Sequence, residues 1–281
     1  MPEEHPLYFN RAYQQAFIAL RYGIKLRLGL MVLTGESGVG KTSLITFVKN
    51  RCEGGIRLGV TSSRGRDFAD LLWFIMRALG LEKIPAERQA MVQEIRRYLL
   101  DRVKEDDILA VILDDAQDLN SETLKEIESL SNLLSCDGNL LQIVLVGRPD
   151  LEKTLDRPAL RSLKECVKIW SRLEPLKAEE VETYIDSRLS TAGHRIRGLF
   201  TPDAVVRVAV YSNGIPGLIN TICDMALYAV YTASQDRVNA ATVDRVWQIL
   251  HPTGQLTSRW QPCYLRRNIL ARLLNRVLGE V

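Results

Sequence analysis

The chain has 281 residues, 46% of them apolar and 25% charged, with a net charge of +3. That is the balance of globular material large enough for one sizeable core and a smaller second unit, and it excludes a disordered or fibrous protein. The five arginines from His251 onward (Arg259, Arg266, Arg267, Arg272, Arg276) face Glu280 alone, so the first 250 residues are close to neutral and the body is no general nucleic-acid binder. The longest apolar runs, such as "LAVIL" and "LLQIVLV", fall far short of the roughly 20 residues that span a bilayer, and the acidic start "MPEEHPLYF" lacks the basic region of a secretory leader. The expectation is a cytoplasmic protein.

In chain order, strand-like apolar runs alternate with helical patterns, the signature of a parallel sheet covered on both faces. Expected strands are Leu28 to Leu33, Ile56 to Val60, Ile108 to Leu113, Leu141 to Val146 and, more weakly, Val167 to Ile169. Helical stretches between them include "DFADLLWFIMRALGL" and "SETLKEIESLSNLL". After Pro175 the pattern is helical to about Leu250, with Thr201-Pro202-Asp203 as a helix start and Gly193 and Gly214 as stops. The expected organisation is an α/β core over residues 1–175, a helical domain over 176–250 and a basic amphipathic tail over 251–281. Five scattered cysteines (Cys52, Cys136, Cys166, Cys223, Cys263) without a C-x-x-C pair read as buried free thiols, and His5, His194 and His251 form no ligand set.

The first run leads into Gly35-Glu36-Ser37-Gly38-Val39-Gly40-Lys41-Thr42-Ser43, a G-x-x-x-x-G-K-T string between a strand and a helix. Its glycines let backbone N–H groups curl around phosphate oxygens, Lys41 reaches the β- and γ-phosphates, Thr42 holds Mg²⁺, and the helix N-terminus adds its positive dipole end. The nine residues Gly35 to Ser43 are the candidate nucleotide-binding set. Farther on, "DDILAVILDDAQDL" is a buried-strand pattern ending in Asp114-Asp115, where a P-loop ATPase places a Mg²⁺-associated carboxylate followed by one that polarises the attacking water.

At this point four phrases carry a resemblance: "YFNRAYQQAFIALRYGIKLRLGLMVLTGESGVGKTSLI", "VILDDAQDLNSETLKEIESLSNLLSCDGNLLQIVLVGRPDLEKTL", "LRSLKECVKIWSRLEPLKAEEVETYIDSRLSTAG" and "SNGIPGLINTICDMAL". Together, from about Pro6 to Leu250, the chain resembles the ExeA/GspA family of AAA+ ATPases. The resemblance implies a three-layer αβα P-loop core with a parallel five-stranded sheet and a small C-terminal helical lid. It also implies ATP and Mg²⁺ as ligands, ATP hydrolysis, and a homo-oligomeric ring or filament in which a neighbour completes the site. The implied work is assembly of a secretion or envelope apparatus. More distant kin are the transposition regulators of the TnsC, TniB and MuB types.

Carried across, the resemblance makes Lys41 the phosphate residue, Thr42 and Asp114 the Mg²⁺ residues and Asp115 the water-polarising carboxylate. The departures bear on cleavage. The family's D-E-A-Q is Asp114-Asp115-Ala116-Gln117 here. The carboxylate is one methylene shorter, and a gap of about 1 Å lowers a proton-transfer rate substantially. The family's V-G-Q-P is Val146-Gly147-Arg148-Pro149, where Arg148 either senses the γ-phosphate or is a solvated loop residue. In the counterpart of "LRQLRQRI" the final arginine has become Cys166, leaving Arg161 as the candidate finger for a neighbouring site. The family's G-I-P-R ends in Gly217, so its lid arginine is missing. An arginine finger is worth about 10³ to 10⁵ in rate, so these changes slow turnover more than they weaken binding.

The expected function is therefore an ATP-binding, slowly hydrolysing assembly factor, cytoplasmic or recruited to the inner face of the membrane by a protein partner of the secretion machine. The alternative is an ATP-gated adaptor that binds DNA and recruits a transposase. Arg64-Gly65-Arg66 suits a phosphate backbone or plain solvation, and Trp73, Phe74 and Met76 read as core. In the tail, Leu265, Ile269, Leu270, Leu273, Leu274 and Val277 share a helical face that suits a membrane surface, a partner or the chain's own lid. Trp260 and Pro262 precede it as a linker.

Overall fold

Leu30–Gly35 (β1) and Leu141–Gly147 (β4) are buried along their whole length, and Ile108–Asp114 (β3) is buried up to its last residue. A continuous apolar run serves a strand only where helices cover both faces. In the computed structural model these three strands form the middle of a five-stranded parallel sheet, with Ile56–Ser62 (β2) and Val167–Leu173 (β5) at its edges in the order β2-β3-β4-β1-β5. The structure describes residues 8, 10–52, 55–103, 107–135, 139–191 and 198–251. The tail from residue 252, with its apolar face, lies outside the described residues, as do Cys136, Cys263, His5, His194 and Gly193.

The edge strands show why their ends were hard to read. β5 runs through Leu173 rather than stopping at Ile169, because Lys168, Trp170 and Arg172 alternate outward along an edge and break the apolar run. β2 likewise continues to Ser62 and is only partly buried.

Helices complete the unit that holds the sheet. These are α1 (Arg11–Lys25), α2 (Lys41–Arg51), α3 (Phe68–Ala78), α4 (Arg88–Val103), α5 (Ser121–Ser135), and the short α6 (Asp150–Leu155) and α7 (Arg161–Cys166). α1 and α2 pack on the sheet through β1 and, for α1, β5. Residues of α3 to α7 share one core with Leu30, Val32, Val111, Leu113, Ile143 and Leu145, the same-facing residues of β1, β3 and β4. Starts are fixed locally: Asn10 accepts the Tyr13 N–H at 3.0 Å, and Asp67 and Asp70 make a reciprocal capping box at α3. Met76 is fully buried, but Trp73 is 48% exposed and carries Arg77 over its ring at 5.5 Å, which corrects the expectation that it is core.

By its contacts the chain divides into two compact units, one of Phe9–Glu36 and Lys41–Leu173, the other of Met1–Tyr8, Ser37–Gly40 and Glu174–Val281. In the second, α8 (Ala178–Thr191), α9 (Pro202–Ser212), α10 (Pro216–Thr232) and α11 (Ala240–Leu250) bury a separate core around Val181, Ile185, Val208, Ile222, Ala226 and Val243. Thr201 caps α9 by accepting the Ala204 N–H at 3.3 Å. Asn213, in the left-handed region, closes it just before Gly214. Among the described residues, no helix is long and apolar enough to cross a membrane.

Candidate active site

In an open parallel sheet, ligands sit outside the carboxyl ends of the strands. The sheet order places β4 between β1 and β3. The loop after β1, the turn after β4 and the acidic end of β3 are thereby neighbours, although they are far apart in sequence.

In the loop after β1, Gly38 and Gly40 have φ of +82° and +102°, values that a side chain resists. Val39 is fully buried and anchors the loop, while Glu36, Ser37, Thr42 and Ser43 are exposed. Lys41 opens α2, and its Nζ donates to the carbonyls of Gly35 (2.7 Å) and Glu36 (2.9 Å). Burial pulls the Lys41 ammonium below its ordinary pKa, opposed by Asp114, Asp115 and Glu36 and aided by the Arg148 charge. Gly217, where a lid arginine was expected in the family pattern, donates its N–H to the Gly38 carbonyl at 2.9 Å.

At the end of β3 the two acids do different things. Asp114 Oδ2 accepts the Thr42 hydroxyl at 3.2 Å, and its Oδ1 accepts the Asp115 N–H at 2.9 Å. Thr42 and Asp114 thus offer oxygen donors side by side, a set that suits a hard cation. Among the described residues no group of three or more His, Cys, Asp or Glu is placed to hold a metal ion.

Asp115 sits in the left-handed region (φ 57°, ψ 34°), a conformation an aspartate tolerates better than most residues. Its Oδ2 lies 3.4 Å from Arg64 Nε and 3.4 Å from the Ser62 hydroxyl, and its Oδ1 accepts Gln117 Nε2 at 3.3 Å. Arg64 also reaches Asp118 at 3.3 Å, and Arg148 approaches Asp118 from the other side at 3.8 Å. Arg161 pairs along its own helix with Glu165 at 3.1 Å and is 82% exposed. Cys166 is half-buried against Asn132.

A protein-family profile described as "AAA domain" matches residues 26–155, the stretch that contains the loop, both acids and Arg148. The "General secretion pathway protein A" of Aeromonas hydrophila is 31% identical over 241 residues, covering 84% of this chain. This chain contains an AAA domain. It is similar to the General secretion pathway protein A, of whose length it spans 43%.

Solved structures agree on the AAA fold. The Aeropyrum pernix ORC2 protein, in its ADPNP-ADP complexes, is similar with a TM-score of 0.64 at 17% identity, over 88% of this chain and 71% of that one. Cdc6p from Pyrobaculum aerophilum gives 0.61 at 19%, over 85% and 66%. The Thermotoga maritima RuvB Holliday junction branch migration motor gives 0.55 at 18%, over 86% and 70%.

Sequence reasoning missed Ser62 and Gln117 as neighbours of Asp115. Ser62 carries no motif. Gln117 lies in the D-D-A-Q string, but only the turn Ala116–Asp118 folds its side chain back. Arg64 is drawn to Asp115 and Asp118 rather than presented as a free cation.

Proposed function

We propose that this AAA-domain chain binds ATP with Mg²⁺ through Gly35 to Ser43, hydrolyses it slowly, and uses the ATP-bound form to assemble. The observation that carries the proposal is the pairing of Thr42 with Asp114 beside a lysine parked on its own loop carbonyls. Lys41 is ready to exchange those two carbonyls for phosphate oxygens, which satisfy the ammonium better. Thr42 and Asp114 would hold Mg²⁺, which when bound supplies charge neutralisation at the phosphates. Asp115 is the carboxylate that orients water and takes its proton.

Slow turnover is read from the same residues. Asp115 is a methylene short of a glutamate, and its Oδ2 is engaged by Arg64 and Ser62. Gly217 and Cys166 stand where the family pattern has arginines, so two cations that would meet the transition state are absent. Arg161 is well exposed and is proposed to serve a neighbouring subunit's site in a homo-oligomer. By relation to the General secretion pathway protein A, the assembly is proposed to act on a secretion or envelope complex, in the cytoplasm or at the inner membrane face. The DNA-adaptor reading gains less, since the cation best suited to a phosphate backbone, Arg64, is paired with two carboxylates.

Steady-state turnover with particle mass in ATP and in ADP tests this. Turnover on the order of one per second or faster, ordinary for an enzyme, or equal mass in both nucleotides, defeats the proposal. DNA binding that requires ATP and falls steeply with salt would transfer the reading to the adaptor.

A further inference from the structure

One side chain joins two parts of the site. The Gln117 amide donates from Nε2 to Asp115 Oδ1 at 3.3 Å, and its Oε1 accepts the backbone N–H of Arg148 at 3.0 Å. The water-polarising carboxylate and the turn that carries Arg148 are thus held by opposite ends of one amide. Only a side chain with both a donor and an acceptor can make this pair of bonds.

The space for it is built into β4. A Cβ on Gly147 would stand 2.8 Å from Gln117 Oε1, 3.2 Å from Leu151 Cδ2 and 3.3 Å from the Gln117 backbone nitrogen. Gly147 has no positive φ to explain it. The first atom such a Cβ would meet is the Gln117 amide oxygen, lying across the end of the strand.

We propose that Gln117 is a positioning residue for hydrolysis: it fixes the rotation of the Asp115 carboxylate and locks that orientation to the Arg148 turn. The inference rests on the reading of Asp115 as the water-polarising carboxylate. An aspartate has one bond fewer than a glutamate with which to reach the water, so the direction of its free oxygen matters more. Gln117 occupies Oδ1, leaving Oδ2 as the oxygen to be released from Ser62 and Arg64. The charged groups around the carboxylate are Arg64 from the loop after β2, Asp114 and Asp118 from its own segment, Arg148 from the β4 turn and Lys41 from α2.

The test compares ATP turnover, affinity for a fluorescent ADP analogue and thermal unfolding in Asp115→Asn, Gln117→Ala, Gln117→Glu and Gly147→Ala. Asp115→Asn should lower kcat by about a hundredfold or more, as loss of a general base does. If it turns over like the parent chain, the Asp115 reading fails and Gln117 loses its role with it. Given an inactive Asp115→Asn, Gln117→Ala should lower kcat by about tenfold, within the cost of misplacing a reacting group, with nucleotide affinity kept. A kcat within about twofold of the parent, on the same scale, overturns the inference.

Gln117→Glu separates positioning from packing. Gln117→Glu keeps the size of the side chain but replaces its NH2 donor with an oxygen facing the Asp115 carboxylate. Its kcat should fall at least as far as that of Gln117→Ala, with nucleotide affinity and melting temperature kept. A kcat near the parent's overturns the proposal. Gly147→Ala pushes on the end of a flexible side chain and should reproduce the Gln117→Ala rate. The double variant should be no slower, whereas additive losses would show that the two residues act independently.

Discussion

At the scale of single residues, the site is a competition for carboxylate oxygens. Arg64 shares its guanidinium between Asp115 and Asp118 and is 64% exposed, so solvent screens the pairing. Such an exposed pair holds by no more than about 1 kcal/mol, equivalent to a few-fold in a rate. Arg64→Ala should therefore raise kcat a few-fold at saturating ATP with KM little changed; a rate that is equal or lower would mean that Arg64 does not restrain Asp115. Lys41 sits at the other extreme, the ammonium whose attraction for phosphate no neighbour supplies. Lys41→Ala should weaken binding of a fluorescent ADP analogue at least about tenfold, in line with the loss of a charge-assisted contact. Retained affinity would remove the loop from the binding site. The glycine-lysine-threonine string was legible because its spacing alone prescribes its backbone. The Asp115 surroundings were not, since Ser62 is brought to that carboxylate only by the β2–β3 register, which pairs Ser62 with Asp114.

Among elements, the central strands announce themselves and the edges do not. β4 contains Gln142 as its second residue, fully buried in an otherwise apolar run. Its Oε1 accepts the Gly29 N–H at 2.7 Å and its Nε2 donates to the Asn139 carbonyl at 2.5 Å, stitching the entry of β1 to the entry of β4. From sequence this glutamine looks like an interruption of the strand, but it is what satisfies two backbone groups at the sheet's lower rim. Gln142→Ala should cost about 2–4 kcal/mol in urea unfolding, from a small cavity plus two unsatisfied polar groups. A loss below about 1 kcal/mol, the worth of one ordinary hydrogen bond, would show that water replaces both contacts. Trp73 teaches the same lesson with opposite sign: its place in "LLWFIMRAL" reads as core, yet the helix turns it outward beneath Arg77.

On the scale of the molecule, each unit has its own core, and a titrating group lies at the edge of the helical one. Asp224 on α10, beside buried Cys223, is pushed up to about 6 by burial, with Arg188 pulling the other way. Its folded pKa lies above the unfolded value near 4, so the folded chain binds more protons between about pH 4 and 6, and stability falls as pH rises through that window. At neutral pH the ionised group costs of the order of 1–3 kcal/mol. Asp224→Asn should stabilise the protein near pH 7.5 and flatten the dependence between about pH 4 and 6, read as melting temperature against pH. A variant with unchanged slope would place the titration elsewhere.

The sequence by itself determined what has a local cause. The glycine loop, the buried strands β1, β3 and β4 and the helix cap at Thr201 follow from residue types at short spacing, and the departures at Asp115, Cys166 and Gly217 stand out against the pattern of the resembled family. Tertiary structure decided which groups meet. The β2-β3-β4-β1-β5 order sets the ends of β3, β4 and β1 side by side, and so joins Thr42 to Asp114 and Gln117 to Arg148. The physical reason is range. Backbone preferences act within a few residues, whereas a hydrogen bond across the end of a sheet depends on strand order and register, which the whole core fixes at once.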